Sequence, residues 1–151
     1  MTSKTIISFF KSRQDFLALL QKNPGLVILK LGATWCGPCK KIKPVVDGFF
    51  ASSPDNVICC DIDVDESTDL YSFLKSKKMV NGIPVILLDK KSNTTFSPDD
   101  SITGIDPIEL DNFFLNQTET HIIIEHIDKI SVIYNQDKLY LIKNYIRELL
   151  K

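Results

Sequence analysis

Cys36 and Cys39, two thiols three residues apart, are the residues whose types and spacing most directly specify chemistry in this chain. Side chains at that spacing can close a disulfide across one helical turn. Such a pair can also reopen by exchange with an outside thiol or disulfide. The attacking species in that exchange is the thiolate, and a free cysteine with a pKa near 8.5 is only about three per cent thiolate at pH 7. The surroundings therefore decide what the pair can do. Pro38 suits the first turn of a helix, where its missing N–H costs nothing. Gly37 lets another backbone approach closely.

The elements on either side must place the pair. Upstream, Leu26-Val27-Ile28-Leu29 reads as a buried strand aimed at it. Downstream, Cys39, Ile42, Val45, Val46, Phe49 and Phe50 recur at helical spacing. Cys36 thus falls where a strand hands over to a helix, at the helix start. Unpaired N–H groups and the positive end of the helix dipole stabilise an anion there. Lowering the thiol to a pKa of about 7 would raise the thiolate fraction roughly fifteen-fold. Part of that gain is returned, because nucleophilicity falls with a Brønsted slope of about 0.4–0.5. The larger benefit is a second thiol close enough to resolve a mixed disulfide internally. A zinc site would need a second pair of ligands. Adjacent Cys59 and Cys60 would point to opposite faces of a strand, and His121 and His126, five apart, would not share a helix face.

Composition narrows the class. A chain of 151 residues suits one domain with a respectable core. A net charge of −1 gives no electrostatic case for nucleic acid or an anionic membrane. Four cysteines in this length do not suggest a secreted disulfide scaffold. No run approaches the 18 apolar residues of a membrane span, and Met1 to Lys11 lacks the apolar core of a signal peptide. The expected compartment is the cytoplasm, where thiols rest mostly reduced.

In chain order, Thr5 to Phe10 favours a short edge strand. Ser12 can cap a helix that turns Phe16, Leu19 and Leu20 inward. Asn23-Pro24-Gly25 is a turn, and Leu26 to Leu31 is a strand covered on both faces, broken only by Lys30. A helix runs from about Pro38 to Ala51 and should kink at Pro44. Val57 to Val64 is a third apolar strand, in which Cys59 and Cys60 act as small buried hydrophobes. Ser67 opens a helix carrying Leu70, Tyr71, Phe73 and Leu74. Asn81-Gly82-Ile83-Pro84 leads into the strand Val85 to Leu88, and Asp89 to Ser97 reads as a polar turn. Ser101 to Thr103 is a last short strand. Asp106-Pro107-Ile108-Glu109 opens a helix through Asn116, with Leu110, Phe113 and Phe114 inward. Residues 121–127 fit strand or helix, and Asp137 to Lys151 reads as a helix with Leu139, Ile142, Ile146, Leu149 and Leu150 on one stripe.

The segment Ala33-Thr34-Trp35-Cys36-Gly37-Pro38-Cys39-Lys40, followed by Ile42-Lys43-Pro44, resembles the active site of thioredoxins, most of all eukaryotic cytosolic ones. The likeness continues through Ile83-Pro84 before a strand and through Gly104, and it covers about residues 5–117. It implies an α/β thioredoxin fold, with a central mixed sheet flanked by helices, and the activity of a protein-disulfide reductase. It makes Cys36 the exposed attacking thiol and Cys39 the buried resolving thiol. It implies a cis bond before Pro84 and a substrate surface drawn from Trp35, Gly37, Pro38, Ile83, Pro84 and Gly104. Lys30 stands where thioredoxins usually carry a buried aspartate that takes the proton of the resolving cysteine. Asp61 falls where bacterial members carry a lysine, so the two charges have changed places. A buried lysine needs a partner, and Asp61 is the expected one. A protonated Lys30 could stabilise the Cys39 thiolate; a Lys30 made neutral by burial could act as base; one that snorkels to the surface would do nothing.

The resemblance further implies disulfide-containing protein substrates and recharging by an NADPH-dependent flavoenzyme reductase. No bound cofactor and no metal are expected, only a reversible Cys36–Cys39 disulfide. The expected organisation is a thioredoxin domain over 1–117 and a C-terminal extension over 118–151 that has no counterpart in the family. The apolar stripe of the extension would be covered by the domain's own back surface, by another copy in a homo-oligomer, or by a partner. The alternative function is a thioredoxin-fold binding or assembly module that uses the extension and keeps only vestigial redox activity.

Overall fold

The computed structural model describes residues 4–115 and 144–150. The chain divides into two compact units, Met1–Leu110 and Asp111–Lys151. In the first, five strands form one mixed sheet in the order β1-β3-β2-β4-β5. The strands are β1 (Ile6–Ile7), β2 (Leu26–Gly32), β3 (Val57–Asp63), β4 (Val85–Lys90) and β5 (Asp100–Thr103). The helices are α1 (Arg13–Gln21), α2 (Gly37–Ser52) and α3 (Thr68–Ser76). β3 runs parallel to both β1 and β2, whereas β4 is antiparallel to β2 and to β5.

β2 is the central strand, and all seven of its residues are buried. Successive side chains of a strand point to opposite faces, so β2 serves two compartments. Val27, Leu29 and Leu31 join Cys60, Ile62, Val85 and Leu87 in a core closed by Phe16 and Leu20 of α1 and by Leu70 and Leu74 of α3. Ile28, Lys30 and Gly32 occupy the other face. The buried side of α2 consists of Cys39, Ile42, Val46 and Phe50.

Local chemistry explains the helix ends. Ser12 accepts from the Asp15 N–H and caps α1. Asp106 accepts from the N–H groups of Ile108 and Glu109 at the start of a helix over residues 107–115. Ser67 precedes α3 but makes no side-chain cap. Its hydroxyl instead accepts from the Phe10 backbone N–H at 3.1 Å, satisfying a donor just past the edge strand. Asn23 holds its turn by accepting from the Gly25 N–H and donating to the Asp89 carbonyl. The polar turn expected at Asp89 begins later. Asp89 is the fifth residue of β4 and is buried, because β2 runs alongside it as far as the Leu26–Lys90 pair.

In the second unit Phe113 and Phe114 are buried and meet edge to face. Residues 144–149 are helical, as expected of that stretch, and Tyr145, Leu149 and Leu150 are exposed. The readings at residues 121–127 and at Leu139 and Ile142 lie outside the described residues.

Candidate functional site

Cys36 is the N-cap of α2, with an extended backbone (φ −86°, ψ 107°), and Gly37 and Pro38 form the first helical residues. Cys36 and Cys39 are joined as a disulfide, with their Cα atoms 5.3 Å apart. The Cys36 Sγ also accepts from the Cys39 backbone N–H at 3.2 Å. That sulfur therefore sits on an unpaired N–H of the helix start, the position that favours a thiolate once the disulfide opens. The expected contrast between an exposed Cys36 and a buried Cys39 is absent from this oxidised state. Each residue is 5% exposed, with the Cys36 sulfur bonded to that of Cys39.

Trp35, immediately before the pair, is 67% exposed, and its indole N–H donates to the Asp65 carboxylate at 2.7 Å. The Asp65 N–H in turn donates to Asp63 Oδ1. Sequence reasoning passed over Asp65, since a single acid in a loop after a strand carries no periodic signal. Added to Gly37, a Cβ would meet nothing within 4 Å. The outer face of the motif is open there.

The other residues of the resemblance come to the same end of the sheet. Leu31 pairs with Val85, and Val85 with Thr103. Gly32, Pro84 and Gly104, one step further along each chain, therefore stand side by side beyond these pairs. The Ile83–Pro84 bond is cis, as the resemblance implies, and Gly104 has a φ of +123° that favours glycine. The Gly104 N–H points to the Pro84 carbonyl at 3.5 Å. Ile83 is half-buried and Pro84 buried.

Lys30 and Asp61 are direct register partners on β2 and β3. Lys30 Nζ lies 3.3 Å from Asp61 Oδ1, with the lysine side chain 6% exposed and the aspartate 30%. Lys30 thus stays inside and meets the expected carboxylate rather than reaching the surface. Lys30, Gly32, Cys39 and Asp61 all line one cleft of about 470 Å³, together with Lys40, Lys43, Asp63 and Glu66. Gly32 was not singled out from the sequence, although a glycine ending a strand is a recognised signal of close approach. Here the approach is that of Cys39: a Cβ on Gly32 would lie 3.3 Å from its sulfur.

Cys59 and Cys60 are free and buried in β3. Burial pushes both thiols above the usual cysteine range, although a hydrogen bond with Ser53 partly offsets this at Cys59. Neither is prepared for attack. Among the described residues no group of three or more His, Cys, Asp or Glu is placed to hold a metal, and no helix is long and apolar enough to cross a membrane.

With this geometry in place, comparison with known proteins is specific. The thioredoxin family model matches residues 8–113. Thioredoxin-1 of Caenorhabditis elegans is 40% identical over 77 residues, covering 50% of this chain and 64% of the relative. Mouse thioredoxin is 37% identical over 78 residues, covering 49% of this chain and 70% of its own. These matched segments therefore span about two thirds of the relatives' lengths. The crystal structure of thioredoxin NaTrxh from Nicotiana alata superposes with a TM-score of 0.59 at 26% identity, over 78% of this chain and 96% of that one. Trichomonas vaginalis thioredoxin superposes with a TM-score of 0.61, over 74% and 96%, and at 24% identity it bears on the fold alone. The fold and the paired cysteines define a thioredoxin-type domain. The chain belongs to the thioredoxin family. Family membership and the Cys36–Cys39 pair support thiol–disulfide oxidoreductase function, and the binding-module alternative is not favoured.

Proposed function

We propose that this chain reduces disulfides in other proteins by dithiol exchange through Cys36 and Cys39. The observation that carries the reading is the disulfide-forming pair at the N-terminus of α2, inside a matched thioredoxin domain. The Cys36 thiolate attacks one sulfur of a substrate disulfide, and the other sulfur leaves as a thiolate that takes up a proton. The Cys39 thiolate then attacks Cys36 Sγ. The Cys36–substrate bond breaks, the second substrate sulfur leaves and is protonated, and the Cys36–Cys39 disulfide forms. Two electrons and two protons pass to the substrate.

Trp35, Gly37 and Pro38, all exposed, offer an extended substrate segment a surface beside the sulfurs, and the backbone of Ile83, Pro84 and Gly104 lies at the same end of the sheet. Lys30 and Asp61 line the cleft beside Cys39, as do Lys40, Lys43, Asp63 and Glu66, and the Lys30–Asp61 pair acts on the resolving step. The chemistry needs no bound cofactor, because the electrons reside in the two thiols. Recharging falls to an NADPH-dependent flavoenzyme reductase of the kind the family uses, and the cytoplasm is the compartment that keeps such thiols reduced. The domain responsible is residues 1–117, followed by an extension over 118–151.

Insulin reduction with dithiothreitol as electron source tests the proposal. Acceleration well above dithiothreitol alone, abolished by Cys36→Ser, is the expected result. A parent chain no faster than dithiothreitol overturns it.

A further inference from the structure

Lys30 is buried in the central strand, and its cationic end faces Asp61 on the neighbouring strand. A second observation connects it to the sulfur chemistry. A Cβ built on Gly32 would lie 3.3 Å from Cys39 Sγ and 3.9 Å from Lys30 Cε. The sulfur and the lysine stem therefore flank the same empty point, within about 7 Å of each other. Lys30 and Gly32 share a face of β2, Asp61 is Lys30's register partner, and Cys39 descends from α2 onto the same face. With no side chain at Gly32, Lys30 and Cys39 line the same cleft, together with the charged Lys40, Lys43, Asp61, Asp63 and Glu66.

A cation near a thiol favours the thiolate. An ammonium has donors and no acceptor, so it cannot take the thiol's proton. Asp61, 3.3 Å away, offsets part of the cost of burying that cation. We infer that Lys30, anchored by Asp61 and sharing the cleft beside Gly32 with Cys39, is an electrostatic positioning residue that stabilises the Cys39 thiolate during resolution of the mixed disulfide. This rests on the dithiol reading above and adds how the resolving thiol is charged. The Cys39 proton leaves to solvent through the cleft. The resulting thiolate attacks Cys36 Sγ, the Cys36–Cys39 bond forms, and the departing substrate thiolate is protonated from solvent.

The test uses the full chain carrying Cys36→Ser, Cys59→Ala and Cys60→Ala, in which Cys39 is the one thiol left of four, so thiolate absorbance against pH reads Cys39 alone. Adding Lys30→Met should raise the Cys39 midpoint by about one unit, a tenfold loss of thiolate below the midpoint. Lys30→Arg, which keeps the charge, should restore most of it. Where the methionine variant does not fold, Lys30→Gln should give the same upward shift. A midpoint that does not move in a folded Met or Gln variant overturns the inference, since a merely structural lysine would leave it in place. Insulin reduction by the parent separates the two proposals. A parent that reduces insulin with an unmoved Cys39 midpoint sinks this inference alone. A shifted midpoint in a chain that leaves insulin intact supports the cation–thiolate pairing and sinks the reductase reading.

Discussion

Asp89 is a carboxylate in a place built for an apolar side chain. It lies in β4 opposite Val27 and is 2% exposed. Asn93 donates to it at 3.3 Å and also to Asp99, so one amide serves two acids. Burial and the nearby Asp99 charge raise the pKa of Asp89 to about 7. In the unfolded chain an aspartate ionises near 4. Between pH ~4 and ~7 the folded chain then binds more protons than the unfolded one, so stability falls as pH rises through that window. The contribution is fully present below pH ~4 and lost above ~7. Asp89→Asn removes this titration and keeps an oxygen for Asn93. Its stability relative to the parent should improve between pH 4.5 and pH 8 by on the order of a few kcal/mol, at about 1.4 kcal/mol per pKa unit. Urea unfolding at the two pH values checks this, and an unchanged difference would show that Asp89 ionises normally. Residue types at the active site were legible because chemistry demands them: paired cysteines, a proline at a helix start, a lysine inside an apolar run. Asp89 was not, because an acid after an apolar strand ordinarily signals the turn.

The hairpin between β4 and β5 shows the same boundary at the scale of elements. Residues 89–97 read as a polar turn, and most of them are polar. Phe96 nevertheless folds back under the sheet. Its ring lies 4.7 Å from that of Phe73 on α3 and 6.5 Å from that of Phe16 on α1. Arg13 binds the same two helices together, donating from its guanidinium and its backbone N–H to Asp69 and stacking on Phe73. The guanidinium hydrogen bond holds the Asp69 carboxyl down at about 2. None of this has a period, so no pattern could reveal it. β1, α1, α2 and β2, whose apolar residues recur at strand or helix spacing, were placed to within a few residues. Phe96→Ala should cost about 2 kcal/mol, less than a fully buried ring would because the site is partly open. The hairpin tip and the cysteine pair belong to opposite ends of β4, so insulin reduction at 25 °C should stay near the parent's rate. A stability loss accompanied by a matching loss of activity in folded protein would mean that the hairpin supports the site.

At the scale of the molecule, one strand separates two kinds of chemistry. β2 presents Val27, Leu29 and Leu31 to a dry apolar core and Lys30 and Gly32 to the cleft beside Cys39. Alternation along a single strand thus lets a rigid scaffold and a charged redox site share a backbone. That scaffold is what the matched family covers: residues 8–113 here, and superpositions spanning 96% of two solved thioredoxins. Every residue placed at the site lies between Lys30 and Gly104, and the buried Leu110, Phe113 and Phe114 precede residue 117. A chain ending at Gln117 should therefore unfold cooperatively and reduce insulin within about twofold of the full-length rate. Thermal unfolding and the insulin assay measure both. Loss of the cooperative transition would instead make residues 118–151 part of the folding unit, with the exposed Tyr145 and Leu149 as the first positions to probe for what they contribute.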